Sequence, residues 1–212
     1  MKILCLTYTA NGSITTVVKP DTALLNGNKP FFVPHYAAEV RATPRLALRI
    51  GKMGRNIAER FAMRYIDGVG IGIDIAARNL LANAMRNGLP WSEACAFDGS
   101  APISAMMPAQ KLMTQAGAKQ EEMENGGDTD RELKNDGALF NVEMTVNGNT
   151  PTHGQFTLGN IVNAVIHASR YFTLHTGDYI LCPTYVKPLE LNINDHIDAT
   201  LNGDKIMSFN VK

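Results

Sequence analysis

Few side chains in this 212-residue chain have both the type and the setting to do chemistry, and Asp74 is the first of them. It follows the apolar run Val69 to Ile73 and precedes a helical pattern through Leu80, Leu81 and Ala84, which stops at Asn87-Gly88 with Pro90 beyond. From periodicity alone, a carboxylate where a buried strand gives way to a helix reads as a helix N-cap. Arg78 reads as one half of an ion pair with Asp67 or Asp98. Cys95 offers a thiol, but nucleophilic attack needs a neighbouring base and none is visible. An inert small hydrophobe is the plainer reading. His35, after Pro34, reads as a surface or turn histidine rather than a base.

These residues depend on the stretch from Arg49 to Asp98, which runs strand end, helix, strand, helix, loop. Asn56 and Glu59 have capping-box spacing. Ala58, Phe61, Ala62 and Tyr65 fall on one helical stripe, and Asp67-Gly68 ends it. Val69 to Ile73, with interspersed Gly, reads as a buried strand that another backbone approaches closely. The N-terminal third is mostly β: Ile3 to Thr9, a turn at Asn11-Gly12, and the returning run Ile14 to Val18. Pro30 and Pro34 frame Phe31 to Val33. Further on, Leu139 to Val146 alternates as a strand and ends at the turn Asn147-Gly148. Asn160 to Phe172 forms an amphipathic helix with Ile161, Val165, Ala168 and Phe172 on one face. Gly177-Asp178 leads into the strand Tyr179 to Cys182. Ile197 to Leu201 and Ile206 to Val211 flank the turn Asn202-Gly203. Residues 109–137 are charged, Gly-containing and without apolar period, and read as a mobile insertion.

The segment GIDIAARNL resembles the (N)DxxxR(D/N)L segment of the fumarylacetoacetate hydrolase family. The GxxxRNI turn before the first helix and the loop carrying Trp91, Phe97, Asp98, Ser100, Ala101 and Pro102 are similar to the same family. So are Lys19-Pro20-Asp21, Val146-Asn147-Gly148, Ser169 to Leu174 and Gly177-Asp178, all in family order. The resemblance implies an α+β fold: a mixed, rolled β-sheet sandwich with outer helices, in a single domain spanning 1–212. It also implies a homodimer and cleavage of C–C bonds in acylpyruvate-like diketo acids, or related decarboxylation and isomerisation. In the family a divalent cation polarises the keto oxygen.

In the family, two Glu on one strand and the Asp at the position of Asp74 hold that cation, and the Arg at the position of Arg78 faces the substrate. Counting back from Arg49-Ile50 places Thr43 and Arg45 on the two Glu positions, with Pro44 between them. Alternate strand positions share a face, so Arg45 is expected to contact Asp74. Cys95 occupies the place of an active-site Lys. The segment that carries the family's His base is reduced to Tyr8 to Ser13, which contains no His. A Thr that contacts the substrate carboxylate is retained as Thr184, although Pro183 replaces a Gly before it and removes a backbone donor. Lys19, Cys95 and Asp98 are the expected pocket residues, with Arg78 and Thr184 as the retained catalytic ones.

Composition bounds the rest. Apolar residues make up 45% and charged residues 19%, enough for a sizeable core. Lys+Arg and Asp+Glu are both 20, and no basic run appears, which argues against a nucleic-acid partner. Cys5, Cys95 and Cys182 show no disulfide pattern. No apolar run reaches membrane length, and the N-terminus lacks a signal-like core, so a cytoplasmic protein without a membrane partner is expected. Its expected ligand is a small carboxylic acid. No cofactor is expected, and the missing Glu, Lys and His positions imply impaired catalysis. The alternative is an active hydrolase or decarboxylase holding Mg²⁺ or Mn²⁺ through shifted ligands such as Glu39 with Asp74 and Asp98.

Overall fold

The computed structural model describes residues 1–26, 28–110 and 139–212. Two long antiparallel strands form its spine. Strand β4 (Val40–Ile50) pairs with β5 (Ile66–Ala77) along its whole length. Strict alternation gives each strand two faces. Val40, Ala42, Leu46, Leu48, Val69, Ile71, Ile73 and Ile75 turn into the main apolar core. The opposite face carries Arg41, Thr43, Arg45 and Ala47 on β4, and Gly68, Gly70, Gly72, Asp74 and Ala76 on β5. The small β5 residues there admit close neighbours: a Cβ on Gly72 would lie 2.4 Å from Leu181 Cδ2, and one on Gly70 would lie 2.7 Å from Ser104 Oγ.

Around the spine, β1 (Lys2–Tyr8), β2 (Ile14–Pro20), β3 (Leu24–Asn26), β6 (Ala101–Ile103) and β10 (Tyr179–Leu181) complete the path β2-β1-β10-β4-β5-β6-β3 of a mixed sheet. Strand β7 (Met107–Pro108) adds to β5, and β11 (Leu189–Leu191) adds to β4. On its outer edge β4 pairs with β11 at Val40 to Ala42 and with β10 at Ala47 to Arg49. Pro44 falls in the interval between them, where a missing ladder donor is tolerated. A second, antiparallel sheet has the order β13-β12-β8-β9, formed by β8 (Phe140–Val146), β9 (Asn149–Phe156), β12 (His196–Leu201) and β13 (Asp204–Asn210). It packs against β4 and β5, and the shared core lies between the sheets. The fold is the expected α+β sandwich. Helix α1 (Arg78–Asn87), the single turn α2 (Ser92–Cys95) and α3 (Leu158–Tyr171) complete the layers. Thr157 and Asn160 form a reciprocal capping box on α3.

Two local expectations need correction. The stripe after Asn56 is a 3-10 helix, Glu59–Tyr65, capped by Ala58 without a side-chain bond. Asn56 instead adopts φ 50°, outside the helix, and of the stripe within it only Ala62 is buried. Asp74 is not an N-cap either. Strand β5 continues to Ala77, which caps α1 through backbone alone. The carboxylate is held by cations across the sheet rather than by the helix start. The proposed mobile insertion at 109–137 lies largely outside the described residues.

Candidate active site

The site grows out of the polar face of β4 and β5. Thr43 pairs directly with Asp74, and Arg45 with Gly72, so the three side chains Thr43, Arg45 and Asp74 rise from the same side. Arg45 grips Asp74 Oδ2 with Nε at 3.2 Å and Nη2 at 3.0 Å. Its Nη1 donates to the Leu6 carbonyl at 2.6 Å and the Cys182 carbonyl at 3.3 Å, and Nη2 donates to Thr7 Oγ1 at 3.1 Å. A guanidinium has five N–H donors, and all five find an acceptor here.

The other Asp74 oxygen is taken from beneath. Lys19, on β2, has no exposed surface at all, and its Nζ lies 2.8 Å from Asp74 Oδ1. The remaining donors reach the Ile75 carbonyl at 3.1 Å and the Ser100 carbonyl at 2.9 Å. Burial alone would push the Asp74 carboxyl up. Lys19 and Arg45 more than reverse this and hold it well below the usual carboxylate range. Burial pushes the Cys5 thiol beside the cluster up to about 12 and the Cys95 thiol up to about 11. Neither is a poised thiolate.

Above the cluster opens a cavity of about 410 Å³. Thr43, Arg45, Asp74, Arg78 and Cys95 all line it. Three expected site residues lie elsewhere. Lys19 sits below the floor. Thr184 faces a different cavity of about 420 Å³, shared with Tyr8, His153, Asn160 and Tyr185, and its hydroxyl accepts from the Val186 amide at 3.2 Å. Asp98 is exposed and lines neither cavity. Arg78 pairs with Glu39 at 2.7 Å, not with Asp67 or Asp98; Asp67 pairs with Arg49 instead. His35 is exposed at an edge of Tyr36. The sequence reading missed Arg41, Met85 and Trp91 as lining residues. Arg41 was findable, because it shares the β4 face two positions before Thr43.

The residues present do not fit the divalent cation that the family resemblance implies. That site needs hard oxygen ligands converging on one point. Thr43 and Arg45 stand on the positions counted for two of them, and both oxygens of Asp74 are committed to cations. Glu39, offered as a shifted ligand, is 46% exposed and tied to Arg78. Among the described residues no three His, Cys, Asp or Glu side chains come together.

Known proteins place this architecture. Mouse mitochondrial oxaloacetate tautomerase FAHD1 is 28% identical over 197 residues, covering 92% of this chain and 79% of its own. Oxaloacetate tautomerase YcgM of Escherichia coli K12 is 28% identical over 193 residues, covering 89% and 78%. The crystal structure of a fumarylacetoacetate hydrolase family protein from Yersinia pestis superposes with a TM-score of 0.80 at 26% identity, covering all of this chain and 93% of that one. The fumarylpyruvate hydrolase of Pseudomonas aeruginosa, solved with Mn²⁺ and pyruvate, shares the fold at a TM-score of 0.77 and 19% identity, covering 100% and 89%. Residues 8–211 match the fumarylacetoacetate (FAA) hydrolase C-terminal family, and the chain belongs to that family.

Proposed function

We propose that this chain is a fumarylacetoacetate hydrolase-family protein in which an internal ion cluster stands in place of the metal centre. On this reading it binds a small carboxylic acid and does not carry out metal-dependent cleavage of C–C bonds. The observation that carries the reading is the capture of both Asp74 oxygens by Lys19 and Arg45. A dication brought to about 4 Å from Arg45 would meet a repulsion of roughly 4 kcal/mol per unit of its charge, at an effective dielectric near 20. A metal-free route through Cys95 is disfavoured by its raised thiol. The homodimer and the cytoplasmic setting belong to the same proposal.

Calorimetry and turnover test it together. Wild type should show no Mg²⁺ or Mn²⁺ binding at millimolar metal, and no metal-stimulated tautomerisation of oxaloacetate or hydrolysis of an acylpyruvate. Thr43→Glu with Arg45→Glu puts two carboxylates on the face of Asp74 and removes one opposing cation. That variant should gain metal binding, while catalysis stays poor because Cys95 and the His-free Tyr8 to Ser13 segment remain. Metal binding by wild type as tight as by the variant, or metal-stimulated turnover, overturns the reading.

A further inference from the structure

The cavity over the ion cluster carries more positive charge than its floor needs. Arg45 and Lys19 have spent every donor on protein acceptors, and together with Asp74 they leave one net positive charge under the floor. Arg78 at the wall is offset by Glu39. Arg41 is different. It is half-buried, lines the cavity, and its guanidinium makes no hydrogen bond or ion pair among the described residues. Glu190 stands opposite it on β11, exposed, without forming an ion pair with it. An arginine left unpaired in a concave, partly desolvated setting is a ready partner for a carboxylate.

The roof has the opposite character. Arg78, Leu81, Ala82 and Met85 follow helical spacing on α1 and all line the cavity, so this stripe of the helix faces the void. Only Ala84 of α1 is buried. Met85 is 61% exposed and Trp91 40%, although both edge the same space. A volume of about 410 Å³ suits a small ligand rather than a chain segment.

We propose that this cavity binds a monocarboxylate with an apolar body, its carboxylate on the Arg41 guanidinium and its body under Leu81, Met85 and Trp91. The proposal rests on the metal-free reading of the site. It separates from the family's chemistry in one respect: with no cation to chelate, a 2-keto group adds little to binding.

The test is calorimetry with EDTA present, using octanoate, 2-oxooctanoate, acetate and octyltrimethylammonium as probes. Octanoate and 2-oxooctanoate should bind one to one within a few-fold of each other, acetate far more weakly, and the cation not at all. Arg41→Gln should weaken octanoate by roughly one to two orders of magnitude, the scale of a charge-assisted bond. Leu81→Ser, which adds no charge, should weaken octanoate independently and acetate far less. The proposal is overturned if octanoate fails to bind, if the octyl cation binds as well, or if Arg41→Gln binds octanoate like wild type. The probe comparison uses wild type alone, so it decides even if a variant misfolds. A Mn²⁺ titration run beside it keeps the two readings apart. Mn²⁺ binding by wild type breaks the metal-free reading, whereas absence of both Mn²⁺ and octanoate binding breaks only this proposal.

Discussion

Asp74 and Glu39 are both carboxylates bonded to an arginine beside the same cavity, yet their settings are opposite. Asp74 and Arg45 have side chains 16% and 4% exposed, with the wholly buried Lys19 completing the group. Glu39 and Arg78 are 46% and 50% exposed, at a closer 2.7 Å. Distance alone would rank the surface pair above the buried one. Burial reverses the order of consequence, because water can replace a lost partner at the surface and cannot do so inside. A buried cluster is a poor guide to net stability but a sound guide to fragility when one member is removed.

The comparison can be broken most forcefully at Asp74. Asp74→Ala leaves Lys19 and Arg45 as buried, uncompensated cations, and should cost about 3–5 kcal/mol in denaturant unfolding. A loss under about 1 kcal/mol would mean that water enters the cluster and that the two settings are alike. Acid titration is the next lever. The folded Asp74 carboxyl lies below its ordinary value, so the unfolded chain takes up the proton first as pH falls. The stabilisation is therefore full above the ordinary carboxylate value near pH 4 and is lost as pH drops below it toward the depressed folded value. Asp178, also lowered by Lys2 and backbone donors against its burial, adds to the same acid limb. Asp74→Asn should flatten that limb without abolishing it, and an unchanged acid profile would contradict the geometry. The smallest effect is expected at the surface. Glu39→Ala should change stability by about 0–1 kcal/mol, and less in high salt.

Much of this contrast was legible in the chain. Thr43, Arg45 and Asp74 meet because strand alternation fixes which side chains share a face, and that period survives in the sequence. The hairpin turns were equally plain: Asn147-Gly148 and Asn202-Gly203 take the positive φ angles that such pairs favour. Other features depended on distant pairing. Lys19 reaches Asp74 across 55 residues because the fold sets β2 beside the Ser100 loop and the end of β5, and no local pattern encodes that approach. Thr184 kept its residue type but not its neighbourhood: the loop between β10 and β11 turns it toward the second cavity. The short helix Glu59–Tyr65 shows a limit of periodicity, since an apolar stripe over seven residues does not distinguish an α-helix from a tighter turn.

Arg45 also has a meaning for how the molecule assembles. One guanidinium joins β1 at Leu6, β5 at Asp74, and the strand end at Cys182, across separations of 39, 29 and 137 residues. Such bonds bring no reward until chain closure over those distances has already been achieved. The floor of the cavity is therefore expected to form late in folding, after β1 has paired with β10 and β10 has paired with β4. A chain in which either pairing is missing would lack the Arg45 bonds that close this floor, so the shape of the cavity depends on the completed sheet.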